Sequence, residues 1–342
     1  MALRFIDGFE TYGPVSTSTR VLQEAMSGRW DCLQSYADAD ISIQAGAHGG
    51  LSLFMDSSDD YITKTLDNQQ TWVVGFWLKM DTYYGSVRPF LLLYDGTNKQ
   101  CEIRIDSPNK KLEVWTDQTY RGESTTVLDL DTWYFVEAKF VIDATASGTY
   151  ELKINGTSEV SGSAVTSDSG NDYASSLTIL NNYNNFYIDD LYICDGTAGL
   201  DDFLGLCKVS VSYPTSDSSP SAWTTSTGSD HYALVNDSER DTSEYVYTDT
   251  NTNEDMYNFT VSEVGTILGL QFGVECSANG SVVKEFRAIV RNGNDSNASK
   301  VIMGGVESPQ SILVAAEYLP GTSTAWTNTT INATDFGCEK VS

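Results

Sequence analysis

The chain has 342 residues, 40% of them hydrophobic and 20% charged, and a formal net charge of −27. This composition supplies material for real cores and excludes global disorder. The charge excludes phosphate backbones and anionic lipid as natural partners, so neither nucleic acid nor a membrane is expected, and no apolar run approaches the ~18–20 residues of a membrane span.

The opening MALRFIDGFETYG lacks a basic stretch followed by an apolar one, so the chain is expected to be made in the cytosol. TRVLQEAM (19–26) is the one segment with a helical look. Strand signals then follow one another. They are GLSLFMD (50–56), DYITKTL (60–66), TWVVGFWLKMD (71–81), RPFLLLYDG (88–96), CEIRID (101–106), KLEVWTD (111–117), WYFVEAKFVID (133–143), TYELKING (149–156), SSLTIL (175–180) and FYIDDLYICDG (186–196). Clusters of Ser, Thr, Asn, Asp and Gly separate them, the pattern of a sandwich or barrel. In the most apolar run, Trp72, Val74, Phe76 and Leu78 share one face by the period of two. SPNK (107–110) and DATASG (143–148) read as hairpin loops.

Composition shifts after residue 195 to a Ser/Thr/Pro-rich stretch, which places a boundary near 205 and gives domains 1–205 and 206–342. The second part carries its own strands at EYVYTD (244–249), MYNFTV (256–261), GTILGLQFGVEC (265–276), SVVKEFRAIVRNG (281–293), QSILVAAEYL (310–319) and DFGCEKVS (335–342). The expected fold is all-β, with two β-sandwich domains.

Asp189 and Asp190 stand side by side in an apolar strand. Strand alternation sends neighbours to opposite faces, so the two cannot serve one substrate unless a bulge intervenes. Each reads as a structural acid. A calcium ion at a sandwich rim is a further use for one of them, with no cluster in view to supply the remaining oxygens. Glu102, Arg104 and Asp106 share a strand face. Three acids on one strand at such spacing would suit a sandwich glycosidase, but here the middle one is Arg, which would pair with its acidic neighbours and keep them ionised, wrong for a proton donor. His48 reads as a loop residue and His231 as an exposed turn. Neither belongs to a nucleophile or metal pattern. The six scattered cysteines, Cys32, Cys101, Cys194, Cys207, Cys276 and Cys338, form no C-x-x-C and are expected as free thiols. Trp72, Trp77, Trp115 and Trp133 read mainly as core. Tyr83, Tyr84 and Tyr183 fall in loops, where they would contact a glycan or anchor an interface.

DTWYFVEAKFVI (131–142), TYELKINGT (149–157) and NFYIDDLYICDG (185–196) together resemble the concanavalin A-like, laminin-G-type jelly roll. The resemblance implies that fold for the first domain, which hosts lectins, glycosidases and structural modules alike. RFIDGFETYG (4–13), STGSDHYALVND (226–237), DMYNFTV (255–261), GTILGLQFGVEC (265–276) and AWTNTTINATDFGCEKVS (325–342) are similar to segments of tailed-bacteriophage virion proteins. That second resemblance implies a virion location and a tail, fibre-associated or capsid-decoration role.

The combined expectation is a non-enzymatic structural component of a phage particle without a cofactor. It would pack against other virion proteins in symmetric copies, with a host-surface glycan as a possible ligand. The alternatives are a glycan-binding receptor module and a glycoside hydrolase or lyase of the same fold. The hydrolase needs two close acids on one face, and the strand patterns offer no good pair.

Overall fold

The run at 71–81 becomes strand β6 (Thr71–Thr82), the hub of the first sandwich. Its Trp72, Val74, Phe76, Leu78 and Met80 are fully buried, as the period of two requires. The computed structural model describes residues 3–13, 22, 25–26, 28–34, 40–56, 59–197, 199–238, 241, 243–278, 284–303 and 310–342. Most of the helix expected over 19–26 lies outside the described residues.

Around β6 the chain lays down β1 (Leu3–Asp7), β2 (Cys32–Gln34), β3 (Ile41–Ala45), β4 (Leu51–Met55), β5 (Asp60–Gln69), β7 (Val87–Asp95), β8 (Asn98–Asp106), β9 (Lys111–Thr116), β10 (Thr119–Glu123), β11 (Trp133–Val141), β12 (Thr149–Ile154), β13 (Thr157–Ser163), β14 (Ala174–Asn181) and β15 (Asn185–Asp195). An eight-stranded sheet runs β13-β12-β11-β6-β15-β4-β3, with β1 also paired to β15. A seven-stranded sheet runs β10-β9-β8-β7-β14-β5-β2. The named strands pair antiparallel, and the two sheets meet through aromatic contacts: Phe90 of the second sheet lies 5.7 Å from Phe76 and 5.0 Å edge-on from Phe186 of the first. The sandwich expected from the strand spacing is therefore present.

Three tryptophans expected in the core stand elsewhere. Trp77 and Trp133 lie on the outer face of the eight-stranded sheet and Trp115 on that of the seven-stranded sheet, all partly exposed. Their parity in the strand, opposite to that of Trp72 or Leu112, puts them there.

The chain divides into two compact units, Met1–Gln23 with Trp30–Val209, and Glu24–Arg29 with Ser210–Ser342. Residues 206–209 thus pack with the first sandwich. The second unit holds β16 (Pro214–Ser221), β17 (Thr224–Thr225), β18 (Val246–Tyr247), β19 (Glu254–Phe259), β20 (Leu270–Cys276), β21 (Lys284–Asn292), β22 (Asp295–Met303), β23 (Gln310–Ala316), a short helix α1 (Asn328–Asn332) and β24 (Asp335–Lys340). A five-stranded sheet β16-β19-β24-β21-β22 packs on the β20–β23 pair. Phe286, Ala288 and Val290 face Ile312, Val314 and Ala316 in that core, with Trp326 donating its indole N–H to Ala316. Thr327 caps α1 in a reciprocal box with Thr330.

Candidate functional site

The outer face of the seven-stranded sheet carries the densest chemistry of the first unit. The loop SPNK closes a hairpin in which Asp106 pairs with Lys111, Arg104 with Glu113 and Glu102 with Trp115. On β10, Glu123 stands opposite Glu113, and Tyr120 opposite Trp115. Alternation then brings all of these side chains to one face. Carboxylate oxygens of Asp106, Glu113 and Glu123 lie within 4.8 Å of one another. Arg104 binds Glu102 through two bonds of 3.0 and 3.2 Å, as the sequence predicts, and its guanidinium lies 3.8 Å above the Trp115 ring. Asp106 is held differently: it accepts from the Asn109 amide at 2.7 Å. The Arg therefore does not neutralise both acids.

Glu113 is 7% exposed. Burial pushes its carboxyl above the usual range, and the charge of Asp106 adds to that, against a bond from the Trp115 indole at 2.6 Å. Sequence reasoning missed Glu113. The hairpin register was legible in the four-residue loop, and it would have placed Glu113 diagonal to Asp106. The same three carboxylates are oxygen donors of the kind a hard cation takes. Here the Lys111 ammonium, 2.7 Å from Glu123, already brings positive charge to that side.

Tyr83, Tyr84 and Tyr183 flank one end of this sheet. The Tyr83 hydroxyl donates to Leu128 O at 2.7 Å, and burial raises its phenol well above the usual value. Tyr84 and Tyr183 are 54% and 49% exposed.

A second acidic group lies on β15. A bulge between Asp189 and Tyr192 breaks the alternation, with Asp190 at φ 52°. Both aspartates are consequently buried on the eight-stranded sheet, and the expectation of opposite faces fails for a local backbone reason. Asp189 accepts the N–H groups of Ala47 and Asp190, each at 2.7 Å, while Glu10 accepts from Leu51 N–H at 3.1 Å. These acids anchor the Gly-rich loop after β3. Burial, with the neighbouring Asp190 charge, pushes Asp189 up to about 8. Burial, with Glu10 adding, pushes Asp190 up to about 6. His48 Nε2 lies 3.5 Å from Asp190 Oδ2, and the ring sits edge-on to Trp77 at 5.0 Å.

The segment 201–209 crosses the outer face of this sheet as a strap. Asp190 accepts from Val209 N–H at 2.7 Å, Glu137 from Gly205 N–H at 2.9 Å, and Cys207 O from the Trp77 indole at 3.0 Å. In the second unit His231 is no exposed turn: its Nδ1 lies 2.9 Å from the fully buried Asp255, which also accepts from the Tyr257 hydroxyl at 2.5 Å. The six cysteines are free thiols.

No family model matches this chain, and no curated protein does. Solved structures with a similar fold include the endo-β-1,4-glucuronan lyase of the fungus Trichoderma reesei (TM-score 0.39, 10% identity, 48% of this chain and 91% of that one). Others are the alginate lyase Aly36B (TM-score 0.40, 9% identity, 55% and 95%) and a sialidase (TM-score 0.40, 11% identity, 56% and 18%). All of these are described as glycan-acting enzymes, and none as a virion protein. The expectation of a non-enzymatic virion component is corrected accordingly. Asp106 and Glu113 also lie close together, an apposition that the strand patterns did not reveal.

Proposed function

We propose that the first unit acts on a neutral glycan laid across the outer face of the seven-stranded sheet, with Asp106 and Glu113 as its hydrolytic pair. The observation that carries this reading is their apposition within 4.8 Å. Retaining glycosidases hold their two carboxyl groups about 5–5.5 Å apart. The raised Glu113 carboxyl suits the acid, which protonates the glycosidic oxygen as the C1–O bond breaks. Asp106 then bonds to C1, and Glu113 takes a proton from the water that releases the sugar. Trp115 and Tyr120, 5.8 Å apart, border the pair with aromatic surface.

Charge selects against polyuronates. Glu102, Asp106, Glu113 and Glu123 face only Arg104 and Lys111 in this row, and Arg104 is already paired. The excess negative charge of this row repels a substrate carboxylate, so hydrolysis of a neutral chain is favoured over elimination on an acidic one.

The test is reducing-end release from neutral glucans, xylans and mannans, with alginate and glucuronan alongside. Cleavage of a neutral polymer with retention at C1, lost in Glu113→Gln and Asp106→Asn, is expected. Activity that survives both substitutions, or confined to the polyuronates, overturns the assignment.

A further inference from the structure

We infer that the loop end bearing Tyr84 and Tyr183 is a saccharide subsite continuous with the Asp106–Glu113 face, where a pyranose ring stacks on Tyr183. The inference rests on the reading of that face as a glycan site. Strand register supplies the continuity: Val87 pairs with Asp106, so the 83–86 loop emerges beside that acid. Asn184 ties three loops together there. Its Oδ1 accepts from Ser107 Oγ at 2.8 Å and from Tyr84 N–H at 3.1 Å, and the residue is buried.

Tyr183 sits next to this knot at φ 75°, in the left-handed region that bulky residues seldom adopt. The backbone turn directs its ring outward. The Arg88 guanidinium lies 5.1 Å from the ring centroid and backs one side, while Arg88 Nε is shut off from water without a hydrogen-bond partner. Single exposed tyrosines on loops are ordinary. Two on loops fixed by one buried Asn, one of them in a strained backbone, make a preorganised stacking surface. Phenol edges with Arg and Asn nearby suit a polar ring with one apolar face.

The experiment measures calorimetric binding of neutral disaccharides and hexasaccharides to the full chain carrying Glu113→Gln, which blocks turnover. Tyr183→Ala is expected to weaken hexasaccharide binding by roughly tenfold and to erase the advantage of the longer ligand. Tyr183→Phe is expected to retain it. Tyr183→Gly relieves the backbone, so a raised melting temperature with lost binding assigns the effect to the ring and not to a disordered loop. Unchanged hexasaccharide binding in Tyr183→Ala overturns the subsite and leaves the hydrolytic reading standing. Binding that depends on Tyr183 in a wild-type chain that cleaves nothing overturns the hydrolytic reading and keeps the subsite. Absence of binding to any neutral saccharide overturns both.

Discussion

Asp190 Oδ1 accepts the backbone N–H of Val209 at 2.7 Å, closing 19 residues of chain onto the strand they left. The bulge at Asp190 makes this bond possible, because it brings the carboxylate to the sheet face over which the strap passes. Asp190→Ala removes the acceptor and leaves the Val209 N–H without it. Amide exchange at Val209 and Gly205 is expected to rise at least tenfold, with exchange in β6 unchanged. Protection that persists at both amides would show that the strap is held by packing alone.

The paired aspartates give the first unit a pH dependence of unusual sign. Asp189 and Asp190 are pushed up to about 8 and about 6 from 3.8, chiefly by burial. The groups around them are Glu10, His48 and Lys208. Between pH of about 4 and about 8 the folded state holds protons that the unfolded state has released, so stability falls as pH rises through that window. Denaturant midpoints measured at pH 5, 6.5 and 8 are expected to fall in that order. Asp189→Asn should flatten the slope. A parent slope retained in that variant would place the titration elsewhere.

Gly75 fits because it has no side chain. A Cβ there would lie 2.1 Å from the Tyr192 ring, whose hydroxyl donates to Glu137 at 2.6 Å. Gly75→Ala forces that ring aside and is expected to cost about 1–3 kcal/mol, the range for overpacking. Urea unfolding of the variant measures it directly.

Asp255 holds the second unit together through polar contacts, accepting from His231, Tyr257 and the Trp223 N–H. Its removal leaves buried donors unpaired, a loss of about 1–3 kcal/mol for each. Asp255→Ala is expected to melt the second unit, and His231→Ala to weaken it less. Limited proteolysis should then degrade 210–342 and spare the first sandwich.

Much of the architecture was legible in the sequence. The 71–81 run declared its buried face, and hairpins closed where SPNK and DATASG stand. Short edge strands such as β10 and β13 were missed, because TYRGE and TSEVSGS lack the apolar alternation that marks a strand. The site was less legible. Glu113 looked ordinary until the β8–β9 register set it beside Asp106. The bulge at Asp190 had one local signal, since Asp tolerates the left-handed region better than most residues. Strict alternation overrode that signal. His231 gave none, as its partner Asp255 is 24 residues away.

The strap also makes the first sandwich one-sided. Trp77, Glu137 and Asp190 of the eight-stranded sheet are bonded to 205–209, so a long polymer cannot lie across that row of strands. The chain's own backbone takes the position that a ligand would occupy. On the proposed reading, the face left for an extended substrate is that of the opposite sheet, where the acids and the loop tyrosines stand. Deleting the strap's contacts would uncover that row of strands.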